Sequence, residues 1–170
     1  MQTMAKTTYN YKRYKMSEYE LGVFPGARAG EVAGDFTLCD QEGNEVSLEQ
    51  YRGKWVVLET GSITCSMYVK NIGGIKKLEA KYPDVEFLLV YVREAPPGAR
   101  LGPHETDEQK IEMSEKLREF YGEHRKILVD NVDGDMHKAY GELPNMVYVI
   151  NPDGKVIYRC NWAFPKNIDK

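Results

Sequence analysis

The chain has no Cys-x-x-Cys pair, no Asn-x-Ser/Thr acceptor, no long apolar run and only three histidines. Tyr68 stands three residues beyond Cys65, where a second thiol would complete an internal dithiol. Three cysteines, an odd number widely spaced, do not make a disulfide framework, and they suit a soluble protein in a reducing, cytoplasmic setting. The longest apolar stretch, Phe87 to Val92, is far too short to span a bilayer. Residues 1–20 are polar and rich in Tyr and Lys, unlike a secretory signal. A net charge of −3 over 170 residues gives no reason to expect nucleic acid or an anionic membrane as partner. His104, His124 and His137 lie far apart without metal-ligand spacing, so no metal site is expected. His124 and His137 read as surface residues, whereas His104 lies in a long loop and could swing over a site.

What the chain does have is a cysteine at a junction. Trp55 to Thr60 fits a buried strand, and Gly61-Ser62-Ile63-Thr64 fits a tight turn before Cys65. Beyond it Ile72, Ile75, Leu78 and Tyr82 recur at helical spacing. A thiol there faces the first turn of a helix, whose unpaired amides and positive dipole end favour a thiolate. An unperturbed thiol, with a pKa of about 8.5, is only about 3% ionised at neutral pH. A pKa about two units lower would make it mostly anionic, and a helix start with hydroxyls of Thr64 or Ser62 is the kind of environment that does so.

Around this junction the chain alternates strands and helices. Phe36 to Cys39 and Glu45 to Leu48 read as short strands about an Asp40–Asn44 turn, and Ser47 is placed to cap a brief helical turn. The helix after Cys65 runs to about Lys81, with Gly73 and Gly74 inside it. Each costs about 1 kcal/mol against Ala, which implies a close backbone contact or a break. Val85 to Val92 is a central strand, followed by a loop over 93–106 that carries three prolines. Thr106 with Gln109 predicts a helix start, and the helix ends at Gly122. Lys126–Asp130 is a strand and Gly134–Tyr140 a short helix. Met146–Ile150 and Lys155–Cys160 flank Asn151-Pro152-Asp153-Gly154, a hairpin turn, and an aromatic tail follows over 161–165. The order predicts an α/β domain with helices on both faces of the sheet and the site at the carboxyl ends of its strands. Residues 1–33 are expected to form an N-terminal arm or extension, with Tyr9, Tyr11, Tyr14 and Tyr19 packing on the body, and residues 34–170 the domain.

These residues resemble a known group. The layout is similar to the thioredoxin-like fold, in the branch that holds peroxiredoxins, glutathione peroxidases and iodothyronine deiodinases. The nearest resemblance is to the deiodinase family and its bacterial relatives. That family carries Gly-Ser-x-Thr before a selenocysteine, then a helix, then an apolar strand leaving through Tyr-x-Glu-Glu-Ala-His. Here Gly61-Ser62-Ile63-Thr64 precedes Cys65, and Phe87 to Tyr91 leads into Val92-Arg93-Glu94-Ala95. Leu143-Pro144 with Tyr148-Val149-Ile150 resembles the family's Leu-Pro-x-x-x-Tyr-Ile-Ile run. The likeness covers roughly residues 34–165. Sulfur stands where the family has selenium, Arg93 replaces the first Glu, Pro96 replaces the His, and Ser66-Met67 replace a pair of prolines. A peroxiredoxin motif is half present, with Leu58 where its proline would be.

The resemblance implies a thiol-dependent oxidoreductase with Cys65 as a single nucleophile, oriented by Thr64 and Ser62. It implies reductive dehalogenation or related thiol redox chemistry, with no metal or organic cofactor. Pro144 would be a cis proline bordering the cleft, and Tyr91 and Glu94 would line it, Glu94 holding or relaying a proton. Cys160 or Cys39 could resolve an oxidised Cys65, although each also suits core packing. The partners implied are a small-molecule substrate, a thiol reductant and a second copy of the chain. Two other readings stay open: a one-cysteine peroxidase, and a non-catalytic binding module that uses the long loop and Trp162 to hold a partner.

Overall fold

A computed structural model describes residues 26–94, 105–141 and 143–169. The expected tyrosine-bearing arm and most of the 93–106 loop, with His104, lie outside them. Seven strands form one sheet in the order β2-β1-β5-β4-β3-β6-β7. They are β1 (Thr37–Asp40), β2 (Glu45–Ser47), β3 (Trp55–Gly61), β4 (Val85–Tyr91), β5 (Lys126–Val129), β6 (Met146–Ile150) and β7 (Val156–Asn161). Among the described residues the helices are α1 (Ser66–Lys81), α2 (Asp107–Tyr121), α3 (Asp135–Tyr140) and α4 (Pro165–Ile168), and Leu48–Tyr51 makes a 3-10 turn. Strands β3, β4 and β5 are parallel, with Gly61 opposite Tyr91 and Tyr91 opposite Val129. The remaining pairings are antiparallel, so the sheet is mixed.

Successive side chains of a strand point to opposite faces, and this splits the core. Val56 and Leu58 join Leu88, Val90, Met146 and Tyr148 on the face covered by α3. On the other face Leu89, Tyr91, Ile127 and Val129 pack with Tyr68, Ile72 and Leu117 of α1 and α2 near the carboxyl ends of the parallel strands. Val57, Phe87 and Val147 pack with Ile75 and Leu78 lower on that face. Glu59 falls between Val57 and Gly61 on the β3 row and is also buried, at 1% exposure.

Local chemistry accounts for the element ends. Thr106 and Gln109 form the expected reciprocal capping box on α2, and Gly122 ends the helix in the left-handed region at φ 65°. Ser47 stands at the N-cap of the 3-10 turn but its side chain makes no cap bond. Asn151 Oδ1 accepts from the Asp153 and Lys155 amides and fixes the β6–β7 turn. The tail after β7 turns into α4, a helix absent from the expected order. At four residues it is too short to show periodicity. It explains Gly74, where an added Cβ would lie 2.5 Å from Pro165 Cγ, whereas Gly73 faces open space. Residues 26–33 run beside β7, with the Gly30 and Ala33 amides donating to Val156 and Gly154 carbonyls.

Candidate active site

Cys65 is the N-cap of α1, at the carboxyl end of β3. The Ser62–Cys65 turn is closed by the Cys65 amide donating to the Ser62 carbonyl at 3.1 Å. Gly61 has to be glycine, because a Cβ there would meet the Tyr68 ring at 2.7 Å. Tyr68 therefore packs flat on the strand end and draws the first turn of α1 onto it.

The turn is held from beneath. Glu94 Oε2 accepts from the Thr64 amide at 3.1 Å and from Thr64 Oγ1 at 2.6 Å. The Tyr91 hydroxyl donates to Glu94 Oε1 and accepts from the Ile63 amide. Tyr91 and Glu94, expected to line a substrate cleft, are buried under the Cys65 turn and fix its backbone. Thr64, expected to orient the sulfur, spends its hydroxyl on Glu94. Ser62 is fully buried, and its hydroxyl has no hydrogen-bond partner among the described residues.

The expected resting thiolate is corrected by the structure. Cys65 is 2% exposed among Ile63, Tyr68, Leu89 and Tyr91. Burial raises the thiol's pKa above its ordinary value, and the carboxylates of Glu59 and Glu94 push the same way. The amides of Tyr68 and Met67 face the sulfur and pull the other way, but neither completes a capping hydrogen bond. Desolvation wins, so the sulfur at rest is a thiol.

Below it lies a buried ionic group that the sequence reading did not pick out. Arg125 Nη1 donates to Glu59 Oε2 at 2.6 Å, and its Nη2 and Nε donate to the two oxygens of Glu123 at 2.8 and 2.9 Å. Tyr68 Oη donates to Glu123 Oε2 at 2.6 Å, which ties α1 into the group. Burial raises the Glu59 pKa even with Arg125 beside it. Glu123, despite burial, is held down at about 2 by the Arg125 fork and the Tyr68 hydroxyl. The available signal was Glu59 itself, a lone carboxylate in an otherwise apolar strand, which demands a buried partner.

Pro144 is buried just before β6, and the residues on either side of it are anchored. His137 Nε2 donates to the Leu143 carbonyl at 2.7 Å; the carbonyl can only accept, so this nitrogen carries the proton. His137 is therefore not a surface residue. It is fully buried and neutral, its pKa lowered to about 3 mainly by burial. On the other side Asn145 Nδ2 donates to Glu59 Oε1 and to the Thr60 carbonyl at 2.9 and 2.7 Å. Lys110 is likewise fully buried, with Nζ on the Asn131 carbonyl at 2.9 Å and a pKa lowered to about 8 by burial. His124 is part-exposed, its ring 2.5 Å from Glu79.

None of the three cysteines is in a disulfide. Cys39 is exposed on β1 and lies in register with Gly61 across Val129 and Tyr91, three strand spacings or about 14 Å away. A disulfide needs Cα atoms within about 7 Å, and this row leaves Cys39 about twice that from the strand end that leads into the Cys65 turn. Cys160 lies opposite Val147 on β7 and packs in the lower cluster, not among the neighbours of Cys65. Among the described residues no cluster of His, Cys, Asp and Glu is arranged for a metal ion.

The mixed sheet with Cys65 at the N-cap of the helix that follows its central parallel strand is a thioredoxin-like α/β fold. The thioredoxin domain of a thiol-disulfide oxidoreductase from Bacteroides vulgatus has this fold, with a TM-score of 0.65 and 19% identity over 84% of this chain and 96% of that one. The family model of iodothyronine deiodinase matches residues 2–167, and the chain belongs to that family. A thyroxine 5-deiodinase of Sparus aurata is 26% identical over 154 residues, 82% of this chain and 57% of that protein. A thiol-disulfide oxidoreductase ResA of Bacillus thuringiensis is 26% identical over 129 residues, 75% and 66% of the two. The chain spans between 34% and 66% of the length of the curated relatives it matches.

Proposed function

We propose that Cys65 is the single nucleophile of a deiodinase-like thiol oxidoreductase acting on a small molecule. The observation that carries this is the placement of the sulfur at the N-cap of α1, facing the Tyr68 and Met67 amides, at the mouth of the parallel strands. Held as a thiol by its surroundings, Cys65 brings both the attacking sulfur and a proton. With a carbon–iodine bond, sulfur takes the iodine, carbon takes the thiol proton, and a sulfenyl iodide is left on Cys65. A low-molecular-weight thiol then displaces iodide to give a mixed disulfide, and a second thiol restores Cys65. In disulfide exchange the same proton goes to the departing sulfur. Glu94, hydrogen-bonded to Thr64 next to the cysteine, is the carboxylate that would hold or relay that proton. A reducing, cytoplasmic setting would supply the thiols.

The test is iodide release from an aryl iodide in the presence of a dithiol, with mass spectrometry of trapped Cys65. Release that requires the dithiol and vanishes in Cys65→Ser supports the proposal. Rapid sulfenic acid formation with hydrogen peroxide and no iodide release would make the protein a peroxidase instead. A Cys65 inert to iodide donors, disulfides and peroxide would leave a binding module.

A further inference from the structure

Trp55, Tyr82 and Ile157 are large apolar side chains left 41%, 36% and 47% exposed. They are far apart in the chain, yet all three border one cavity of about 520 Å³. The sheet contributes Val57 and Phe87 to its lining, and the helices contribute Leu78 of α1 and Ile168 of α4. At four residues α4 is short, and it is fixed to α1 where Pro165 lies against Gly74, so it borders the space without filling it. Trp55 begins β3 and Gly61 ends it. Six residue steps, about 20 Å, therefore separate this end of the strand from the end that leads to Cys65.

A break in strand register feeds the same cavity. Val149 pairs with Tyr158 and Ile150 with Val156, so Ile157 is an extra residue, a β-bulge. Plain alternation would send Ile157 and Tyr158 to opposite faces. Here both line the cavity, while Val156 stays in the core of the other face. A bulge re-aims a side chain, and this one holds an isoleucine half in water at the cavity's edge. Among the described residues that line the cavity, Asp169 alone is charged, and it is already paired. Its carboxylate accepts from Lys81 Nζ and from the Tyr82 hydroxyl, each at 2.7 Å. The Tyr158 hydroxyl is hydrogen-bonded with Asn167. The polar groups of the lining thus satisfy one another, and the rest of the surface is hydrocarbon.

We propose that this cavity binds an uncharged, largely hydrocarbon small molecule, at a site separate from Cys65. Its volume falls in the range of roughly 300–1,000 Å³ typical of small-molecule sites, which are apolar concavities with few polar groups. The paired rim sets the charge of the occupant. An anion would have to draw Lys81 away from Asp169, and a cation would have to replace Lys81 there. An uncharged body leaves the pair intact and takes Trp55 and Ile157 out of water. A protein partner would bring backbone N–H and C=O groups over a hydrocarbon surface that cannot satisfy them. The inference goes beyond the proposed function and does not depend on it.

The test is titration of the full chain with N-phenyl-1-naphthylamine, an uncharged probe that fluoresces in apolar surroundings. Uptake should saturate. 1-Decanol should displace the probe about tenfold better than decanoate or decylammonium, which carry a charge on a chain of the same length. In amide NMR spectra 1-decanol should shift Trp55, Val149, Ile157 and Ile168 and leave residues 62–66 in place. Ile157→Asp, at a position already half in water, should weaken probe uptake about tenfold, and Ile157→Leu should keep it. Displacement by either ion as good as by decanol, shifts centred on residues 62–66, or uptake unchanged in a folded Ile157→Asp would each overturn the proposal. So would the absence of saturable uptake, and a dimer in light scattering would then give the cavity to a second copy. Binding is read here without turnover, so an inert Cys65 would defeat the proposed function and leave this site standing.

Discussion

Replacing Arg125 with methionine should destabilise the protein far more than loss of one side chain's packing would. Methionine keeps much of the volume and removes the guanidinium. Glu59 and Glu123, at 1% and 2% exposure, then lose the cation between them. Three charge-assisted bonds of 2.6–2.9 Å go with it. Removing one partner of a buried ion pair costs about 3–5 kcal/mol, largely because uncompensated charge is left inside. For a chain of this size that corresponds to a fall in melting temperature of roughly 6–20 °C. The pH dependence adds a signature. In the parent, Glu123 is held at about 2, below its ordinary 4.5. The stability it contributes is full above the unfolded value and disappears as pH falls through 4.5 toward 2. Without Arg125 that acid limb should vanish, and the deficit of the variant should shrink as the carboxylates take up protons. Urea unfolding at pH 7 and at pH 4 measures both. A variant within about 1 kcal/mol of the parent at pH 7, or a deficit unchanged at pH 4, would refute the reasoning.

Two neighbouring glycines should respond oppositely: Gly73→Ala gains up to about 1 kcal/mol by helix propensity in open space, and Gly74→Ala loses about 1–3 kcal/mol by pressing on Pro165. Thermal melts of the pair check this, and equal shifts would contradict the α1–α4 contact. His137 stays neutral in the folded protein down to about 3, against 6.5 when unfolded. The unfolded chain therefore gains a proton that the folded one refuses, and stability falls as pH drops below 6.5. His137→Asn should flatten the slope of the urea midpoint between pH 6.5 and 5, even if it lowers stability overall. Glu59→Gln removes a carboxylate that opposes ionisation of Cys65, so iodoacetamide should alkylate Cys65 faster at pH 8, with a midpoint shifted to lower pH; a slower reaction would remove Glu59 from the electrostatics of the site.

The parts of the fold that could be read from the chain are those encoded within a few residues. The apolar runs at 55–60 and 85–92, the Thr106–Gln109 capping box and the Asn151–Gly154 turn each carry their own signal, and all appear in the structure. The Gly-Ser-x-Thr-Cys turn could be placed at a strand-to-helix junction for the same reason. What escaped depends on distant partners. Glu59 and Arg125 are 66 positions apart, and nothing local says that they meet. The six-residue α3 is too short for periodicity to show that His137 faces inward. Tyr91 and Glu94 could be placed at the end of β4, but that they accept from the Ile63 and Thr64 amides, 28 and 30 positions away, has no local signal.

The same limit applies to the ionisation state of Cys65. A helix start is visible in sequence and its dipole favours a thiolate by an amount that falls off within one turn. Depth is not visible, and burial acts on the full charge of the sulfur. At this position the thiol is buried in one apolar cluster with Ile63, Leu89 and Tyr91 while two carboxylates add their repulsion. A buried thiol is protected from casual oxidation, which a resting thiolate would invite. Reactivity then has to be released by the substrate. A polarisable atom brought against the sulfur replaces the missing solvent, and the helix amides stabilise negative charge only as it develops. A site built this way spends its electrostatic stabilisation on the transition state rather than on the resting ion. Alkylation by small reagents should accordingly be slow in the free protein, while turnover of a fitting substrate is not limited by the thiol's resting ionisation.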